Sequence, residues 1–306
     1  MPVTGQSVIT RGRTARSLGA LVGASALLLA GCVSNTEGGV PVAGENPEVS
    51  KVDAIAAQLP EEIASDGELV VGVNVPYAPN EFKDSDGNIV GFDIDLMDAV
   101  GDVLGVTPVF MEADFDRIIP AIQAGSYDTG ASSFTDTLER EESVDFVTYF
   151  SAGVQWAQAA GGSVDPNNAC GLRVGVQTNT IEDIEEVPAK SEACVAAGQP
   201  PIDIVKFDSQ DSVANALTLG RIDAMSADSP VTGYAIRRSE GKIVAAGEIF
   251  DAQPYGWPVA KGSPLAEVLQ QALQHLIDDG TYQTIAENWG VEQGVITTSQ
   301  INGATS

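Results

Sequence analysis

Two polar side chains occupy matching places in a pattern that occurs twice in the chain. The segments 122–133 and 217–228 each run from an apolar helical residue through a glycine and an aspartate into a short strand pattern. In both copies a polar residue follows that aspartate by five positions, Ser133 in the first and Asp228 in the second. Ligands of open α/β sheets bind beyond the carboxyl ends of the strands. A hydroxyl and a carboxylate are therefore expected to face each other across a cleft.

The composition gives little support for a metal site, a cofactor or a nucleic-acid partner. His275 is the only histidine, and the three cysteines are Cys32, Cys170 and Cys194. Zinc sites require three or four Cys or His ligands, so we predict no metal site, and we predict no cofactor. The formal net charge of −28 excludes nucleic acid as a partner, because phosphates require Lys and Arg. The same charge favours a soluble, self-repelling domain.

The N-terminal segment indicates export. Arginines precede an apolar run of thirteen residues, 18–30, which is too short to span a bilayer and has the length of a signal-peptide core. Cys32 follows Leu29, Ala30 and Gly31, an arrangement that resembles the bacterial lipobox. We therefore expect a lipoprotein signal peptide at 1–31 and a lipidated N-terminus with a flexible tether at 32–65. An ordinary signal peptide is the alternative.

Export also bears on the other two cysteines. Cys170 and Cys194 would meet an oxidising compartment, where such a pair is a candidate disulfide. Two free buried thiols are the alternative.

Strand and helix patterns alternate along the rest of the chain. A β-branched strand at 68–74 precedes an amphipathic helix from Asp93 to Gly105, a strand at 107–111 and a helix from Asp114 to Gly125. Strands at 172–176 and 202–205 and a helix capped by Ser209 repeat this order. Such alternation predicts βαβ units with mostly parallel sheets, in two related lobes.

One segment carries a specific resemblance. Ser132-Ser-Phe-Thr-Asp-Thr-Leu-Glu-Arg140, followed by Val144-Asp-Phe146, resembles the family 3 solute-binding proteins of bacterial ABC importers, over residues 66–292. The resemblance implies a two-lobed, type II periplasmic-binding-protein-like α/β fold in which helices flank each sheet and a hinge joins the lobes. We assign residues 66–157 and 254–294 to lobe 1, residues 158–253 to lobe 2 and residues 295–306 to a flexible tail.

The same resemblance implies the ligand-binding residues. Arg140 would grip a ligand α-carboxylate, a pairing that suits the planar guanidinium, and Asp228 would receive the α-ammonium. The remaining expected contacts are hydrogen-bonding and aromatic side chains: Ser132, Ser133, Thr135, Thr180, Asp93, Tyr77 and Phe115. Asp93 would approach the ligand side chain or act only as a helix N-cap.

Several positions depart from the family pattern. Asn179 stands where glycine is usual, and Ile181 stands where a second threonine is usual. Asn80 resembles an insertion beside Tyr77, and Asn74 replaces an acid found in members that select basic side chains. These departures limit the expectation to a polar amino acid, neutral or basic.

The resemblance thus implies a monomeric, non-enzymatic binding component, lipid-anchored at the outer face of the membrane, which delivers a polar amino acid to an ABC permease. Two alternatives remain: a cleft enzyme similar to cyclohexadienyl dehydratase, or a surface lipoprotein that senses a ligand.

Overall fold

The structure, a computed structural model, describes residues 1–2 and 46–305. The expected signal peptide and Cys32 lie outside the described residues. Within the described part, no helix has the length and apolar character needed to cross a membrane.

Eight of the ten strands in the described part form one mixed sheet, with the order β4-β1-β5-β10-β6-β9-β7-β8. The strands are β1 (Glu68–Val73), β2 (Phe82–Lys83), β3 (Ile89–Val90), β4 (Thr107–Glu112), β5 (Thr129–Gly130), β6 (Val144–Ala159), β7 (Arg173–Gln177), β8 (Asp203–Phe207), β9 (Ala224–Asp228) and β10 (Ile243–Ala260). The short strands β2 and β3 form a separate hairpin.

Two long antiparallel strands, β6 and β10, run through the middle of the sheet. On one side β1 pairs in parallel with β4 and β5, and on the other β7 pairs in parallel with β8 and β9. We call these two parts lobe 1 and lobe 2. The β6–β10 register shifts between Ala246 and Phe250 and again between Phe250 and Gln253, where the ribbon passes from one lobe to the other. Such irregularities bend a strand pair locally.

Helices cover the sheet. They are α1 (Asp53–Ala56), α2 (Glu61–Asp66), α3 (Phe92–Leu104), α4 (Phe115–Gln123), α5 (Leu138–Glu141), α6 (Val187–Ala196), α7 (Gln210–Thr218), α8 (Ser229–Arg238), α9 (Leu265–Asp279) and α10 (Thr281–Trp289), with a π-helical turn at Glu182–Glu186 and a 3₁₀ turn at Glu292–Gly294.

The periodicity-based helix at 93–105 is confirmed as α3. Its apolar stripe includes Leu96, Met97 and Val100, which are fully buried against lobe 1. The helix ends at Gly105, whose φ of 69° lies in the left-handed region that favours glycine.

Separate apolar cores stabilise the two lobes. In lobe 1, α3, α9 and α10 pack on β1 and the first part of β6, with Trp257 and Tyr149 stacked inside. In lobe 2, Trp156 and Val174 belong to one core, and Val213 belongs to a second core beneath α7. Because each lobe holds its own core, neither depends on the interface between the lobes for its packing.

Cys170 and Cys194 form a disulfide with an S–S distance of 2.00 Å. The bond ties the segment before β7 to α6 within lobe 2, 24 residues apart along the chain. The structure therefore contains the expected disulfide and not two free thiols.

The C-terminal segment differs from the expected flexible tail. Residues 299–304 run along β6, where Ile301 forms an antiparallel bridge with Val147. The amide N of Thr148 donates to the carbonyl of Gln300 over 2.8 Å, and Asn302 exchanges further hydrogen bonds with Phe146. Small polar residues had indicated fraying, but backbone pairing to an exposed strand edge compensates for their few apolar contacts.

Candidate functional site

Arg140 lies on the one-turn helix α5, directly after the strand-end segment 132–135. The Thr137 hydroxyl caps this turn and accepts from the Arg140 amide over 3.2 Å. The guanidinium donates through Nη1 to the carbonyl of Thr135 at 2.8 Å and through Nη2 to the carbonyl of Asn179 at 2.9 Å. Because Asn179 belongs to lobe 2, this last bond crosses between the lobes.

Aromatic rings enclose the same guanidinium. Its central carbon lies 5.8 Å from the ring centroids of both Phe115 and Phe134, which stack on each other at 4.3 Å. Burial lowers the pKa of Arg140, while the neighbouring carboxyl groups of Glu182 and Asp228 oppose that shift. The site therefore holds a largely desolvated cation with its hydrogen-bonding fork directed across the cleft.

Asp228 ends β9 on the opposite side of the cleft and is almost fully buried. Its carboxylate accepts a hydrogen bond from the Tyr77 hydroxyl of lobe 1. Burial raises the pKa of Asp228 to about 6, and the Tyr77 bond and the positive charge of Arg140 oppose the rise. A carboxylate in such a place favours a cationic partner, which would compensate its desolvation.

The two serines hold a buried acid network in lobe 1. Ser133 donates to Oδ2 of Asp93 through its backbone N at 2.8 Å and its Oγ at 3.1 Å, and the Tyr149 hydroxyl donates to the same oxygen at 2.7 Å. Burial raises the pKa of Asp93 to about 6. Ser132 donates to Oε1 of Glu81 at 2.6 Å. Both acids lie immediately behind the cleft wall.

Most of the residues expected from the sequence line one cavity. The expected residues that border it are Tyr77, Phe115, Ser132, Ser133, Thr135, Arg140, Thr180 and Asp228. Asp93 is not in the wall of the cavity but supports Ser133 from behind. The position of each expected residue is thus compatible with a role at one cleft.

Sequence reasoning missed four residues of this region: Glu81, Gln177, Ile181 and Glu182. Gln177, Ile181 and Glu182 border the cavity, and Gln177 Nε2 donates across the cleft to Asn74 Oδ1 at 2.8 Å. Gln177, Ile181 and Glu182 come after the predicted strand at 172–176, and ligands of α/β sheets bind at that end of the strands. Their location was therefore the available signal. Glu81 had only its place beside Asn80 as a signal.

The loop after β7 explains one departure from the family pattern. Asn179 has a φ of 66°, a left-handed conformation that glycine and asparagine adopt most readily. Its amide N donates to Oδ2 of Asp183 at 2.9 Å, and the Thr180 hydroxyl donates to the carbonyl of Gln177 at 2.9 Å. Asparagine therefore preserves the backbone turn that presents the Asn179 carbonyl to Arg140.

The cleft region contains more buried acids than bases. Among the residues that the structure describes, Glu81, Asp93, Glu182 and Asp228 are buried there together with one cation, Arg140. Burial raises the pKa of Glu81, and the nearby Asp93 raises it further. Burial likewise raises the pKa of Glu182, and Asp228 adds to that rise. One oxygen each of Glu81, Asp93 and Glu182 has no hydrogen-bond partner in the structure. Among the described residues, no cluster of His, Cys, Asp and Glu has an arrangement that could hold a metal ion.

Comparisons with known proteins agree with this geometry. The family model described as bacterial extracellular solute-binding proteins, family 3, matches residues 69–292. The arginine-binding protein ArgT of Corynebacterium glutamicum is 44% identical over 291 residues, which cover 94% of this chain and 96% of that protein. The L-arginine-binding protein of Pseudomonas aeruginosa is 29% identical, over 74% of this chain and 89% of its own length.

Solved structures give the same result. An ancestral arginine-binding protein bound to arginine superposes with a TM-score of 0.68 at 36% identity and covers 73% of this chain and 98% of its own. An ancestral amino acid-binding protein that is a precursor of cyclohexadienyl dehydratase has a TM-score of 0.65 at 32% identity, over 75% of this chain and 98% of its own. The two-lobed type II fold is therefore confirmed. With a family model that spans most of the described part and a relative matched along nearly its whole length, this chain belongs to the bacterial extracellular solute-binding proteins of family 3.

Proposed function

We propose that this protein captures arginine in the cleft between its lobes, as the substrate-binding component of an ABC importer. Family membership supports the importer role, and the names of the two relatives support arginine. The observation that carries the proposal is the excess of buried carboxyl groups over buried cations around the cleft.

Charge matching favours a cationic side chain. The proposed pairing of the ligand α-carboxylate with Arg140 and of its α-ammonium with Asp228 leaves Glu81, Asp93 and Glu182 to be compensated. A neutral side chain would leave all three acids buried without a counter-charge, which is unfavourable unless they are protonated. A guanidinium brings one positive charge and several N–H donors to this acidic side of the cleft.

Glu81 can supply the acidic group that Asn74 lacks. The neutral Asn74 side chain is engaged with Gln177 across the cleft, so it is not the group that we expect to select the ligand. Glu81 is fully buried, seven positions further on, and its carboxyl group lies beside that of Asp93. We assign to Glu81 the role of the acid that selects a basic side chain.

Calorimetric titration of the mature domain with arginine, lysine and glutamine tests the proposal. We expect arginine to bind most tightly, and Glu81→Gln to reduce the preference for arginine over glutamine by at least about tenfold, the factor that corresponds to about 1.4 kcal/mol. Glutamine binding as tight as arginine binding in the unmodified domain would refute the arginine assignment.

Removal of the two main charges tests the binding geometry. Arg140→Ala and Asp228→Ala should each weaken arginine binding at least about 10²-fold, because loss of one partner of a buried pair costs about 3 kcal/mol or more. Arg173→Ala is the matched control, since Arg173 pairs with Asp223 at 2.7 Å on the surface of lobe 2. If either cleft variant remains folded and binds arginine within about threefold of the unmodified domain, the role of that residue is wrong.

The enzymatic alternative has one specific observation in its favour. Glu182 borders the cavity, and burial raises its pKa, which is the direction that favours a general acid. We nevertheless propose binding without turnover, because Arg140 and Asp228 match the two charged ends of an intact amino acid. Mass spectrometry of arginine and of a cyclohexadienyl amino acid after prolonged incubation should recover both unchanged.

The cellular setting is also part of the proposal. We propose that lipidation of Cys32 holds a monomer at the extracellular face of the membrane, beside its permease. Neighbouring permease and ATPase genes would support import, whereas a neighbouring kinase gene would support the sensor alternative.

A further inference from the structure

The C-terminal segment contacts the turn that carries Arg140. We call residues 299–304 the C-terminal strap. Two consecutive backbone amides of the strap donate to two acids of lobe 1: Gly303 N to Asp136 Oδ2 at 2.7 Å, and Ala304 N to Glu141 Oε1 at 3.1 Å. Asp136 and Glu141 lie on either side of Arg140 in the sequence, so the strap bridges the two ends of its turn.

We propose that the C-terminal strap positions Arg140 for ligand binding by fixing both ends of the segment 136–141. The inference rests on the proposed function, because it assigns to the strap an effect on the same cleft. It gives a role in ligand binding to residues that lie outside the cavity and beyond the part of the chain that the family model matches.

The strap itself is firmly held. Asn302 donates through its backbone N to the carbonyl of Phe146 at 2.9 Å and accepts at Oδ1 from the Phe146 amide at 2.9 Å. Its Nδ2 also donates to Asp145 Oδ1 at 2.9 Å. Upstream, the Ser299 hydroxyl donates to the carbonyl of Thr148 at 2.7 Å. The strap is thus anchored on β6 before it reaches the turn.

Close packing leaves little freedom at the contact. A Cβ atom at Gly303 would lie 2.7 Å from the Thr148 Cγ2 atom, so the strap backbone runs directly against β6. Asp136 is fully buried, and its own amide donates to the carbonyl of Pro254 at 2.9 Å. Asp136 therefore connects three segments: its side chain holds the strap, its backbone amide holds β10, and the chain leads from it directly into the turn with Arg140.

The turn needs such support because it is short. α5 has only four residues, and a single helical turn is marginal without tertiary contacts. The Arg140 guanidinium must meet both the Thr135 carbonyl and the Asn179 carbonyl of the other lobe. A shift of the turn would move the guanidinium out of line with these two carbonyls, because its hydrogen bonds depend on geometry.

Two kinds of variant of the full mature chain test the inference. Deletion of residues 299–306 removes the strap, and deletion of residues 305–306 is the control that retains both amide donors. We expect the longer deletion to weaken arginine binding about tenfold, as loss of hydrogen bonds to charged groups would, and the shorter deletion to leave it unchanged. The longer deletion should also accelerate amide hydrogen exchange at residues 136–142 in the ligand-free protein, but not in lobe 2.

The acid at position 136 provides a second test if the longer deletion does not fold. Asp136→Asn keeps an oxygen that can accept from Gly303, whereas Asp136→Ala does not. Severalfold weaker binding by Asp136→Ala, with Asp136→Asn within about twofold of the unmodified chain, would support the strap's role.

Three outcomes would overturn the inference: a folded 299–306 deletion that binds arginine within twofold of the full chain, equal binding by the two Asp136 variants, or unchanged exchange at residues 136–142 in the deletion variant. Absence of arginine binding by the unmodified chain would instead reject the proposed function. The exchange measurement needs no ligand and would still decide the role of the strap.

Discussion

The buried acids around the cleft predict how the stability of the protein depends on pH. Burial raises the pKa of both Asp93 and Asp228 to about 6, from an ordinary value of about 3.9. Between these values the folded state binds more protons than the unfolded state. The free energy of unfolding must therefore fall as pH rises through that window.

We predict that the ligand-free mature domain loses stability from about pH 4 to about pH 6, in contrast to proteins whose carboxylates are paired. Denaturant unfolding across this range measures the effect. Asp93→Asn and Asp228→Asn should each flatten the plot of stability against pH. Asp84→Asn is the exposed control, because hydrogen bonds from Asn88 lower the pKa of Asp84 and its removal should not flatten the plot. A stability that rises steadily from pH 4 to pH 6 would contradict the prediction.

Single residues also mark the limit of what the sequence could predict. Arg140, Asp228 and the serines follow from a motif with fixed spacing, so their approach to one cavity could be anticipated. Glu81 and Glu182 could not be placed, because an acid in an acidic chain carries no signal until its burial is known. Their burial depends on the tertiary structure, which no local pattern encodes.

At the scale of elements, amphipathic helices were predictable and the long strands were not. The apolar periodicity of α3 and α9 identifies one buried face, and a glycine ends each helix. By contrast, β6 is buried along most of its 16 residues, so it lacks the alternation that identifies a strand with one solvent-facing side. The pairing of β6 with β10, about a hundred residues apart, is a non-local property.

The disulfide stabilises a single lobe. We predict that Cys170→Ala with Cys194→Ala lowers the free energy of unfolding by about 3 kcal/mol, through the greater freedom of the unfolded chain. Because the bond lies within lobe 2, arginine affinity should change by less than about threefold, the equivalent of less than 1 kcal/mol. Chemical denaturation and calorimetry on the oxidised, reduced and double-mutant domains measure both effects. Equal stability of the three forms would show that the bond contributes nothing.

At the scale of the whole molecule, hydrogen bonds cross the cleft between the lobes. In the described part of the chain they include those of Arg140 to Asn179, Gln177 to Asn74, and Tyr77 to Asp228. A ligand between the lobes must enter through an open state and stabilise a closed one. We predict a smaller radius of gyration by small-angle scattering at saturating arginine than without it, and a less ligand-dependent radius for Asp228→Ala. Unchanged scattering despite binding would exclude the closure.

The proposed attachment to the membrane is tested on the full precursor. Cys32→Ala should release the protein from the membrane fraction into the medium, since stable anchoring requires acyl chains. Immunoblots of fractionated cells that express each form measure the distribution. If the variant stays membrane-bound to the extent of the unmodified precursor, Cys32 is not the anchor.

The continuity of β6 and β10 through both lobes has a consequence for protein engineering. Strands of lobe 1 pair with the end of β10 at Val259, and strands of lobe 2 pair with β6 from Val154 onward. Lobe 2 is therefore one contiguous stretch inserted between the two pieces of chain that form lobe 1. A chimera that transplants lobe 2 between relatives must therefore carry two splice junctions, one in each long strand. Both junctions must preserve the strand register, because a slip of one residue would turn inward-facing side chains outward. Splices within the register shifts around Phe250, where the ladder is already interrupted, should be tolerated better than splices elsewhere along the ribbon.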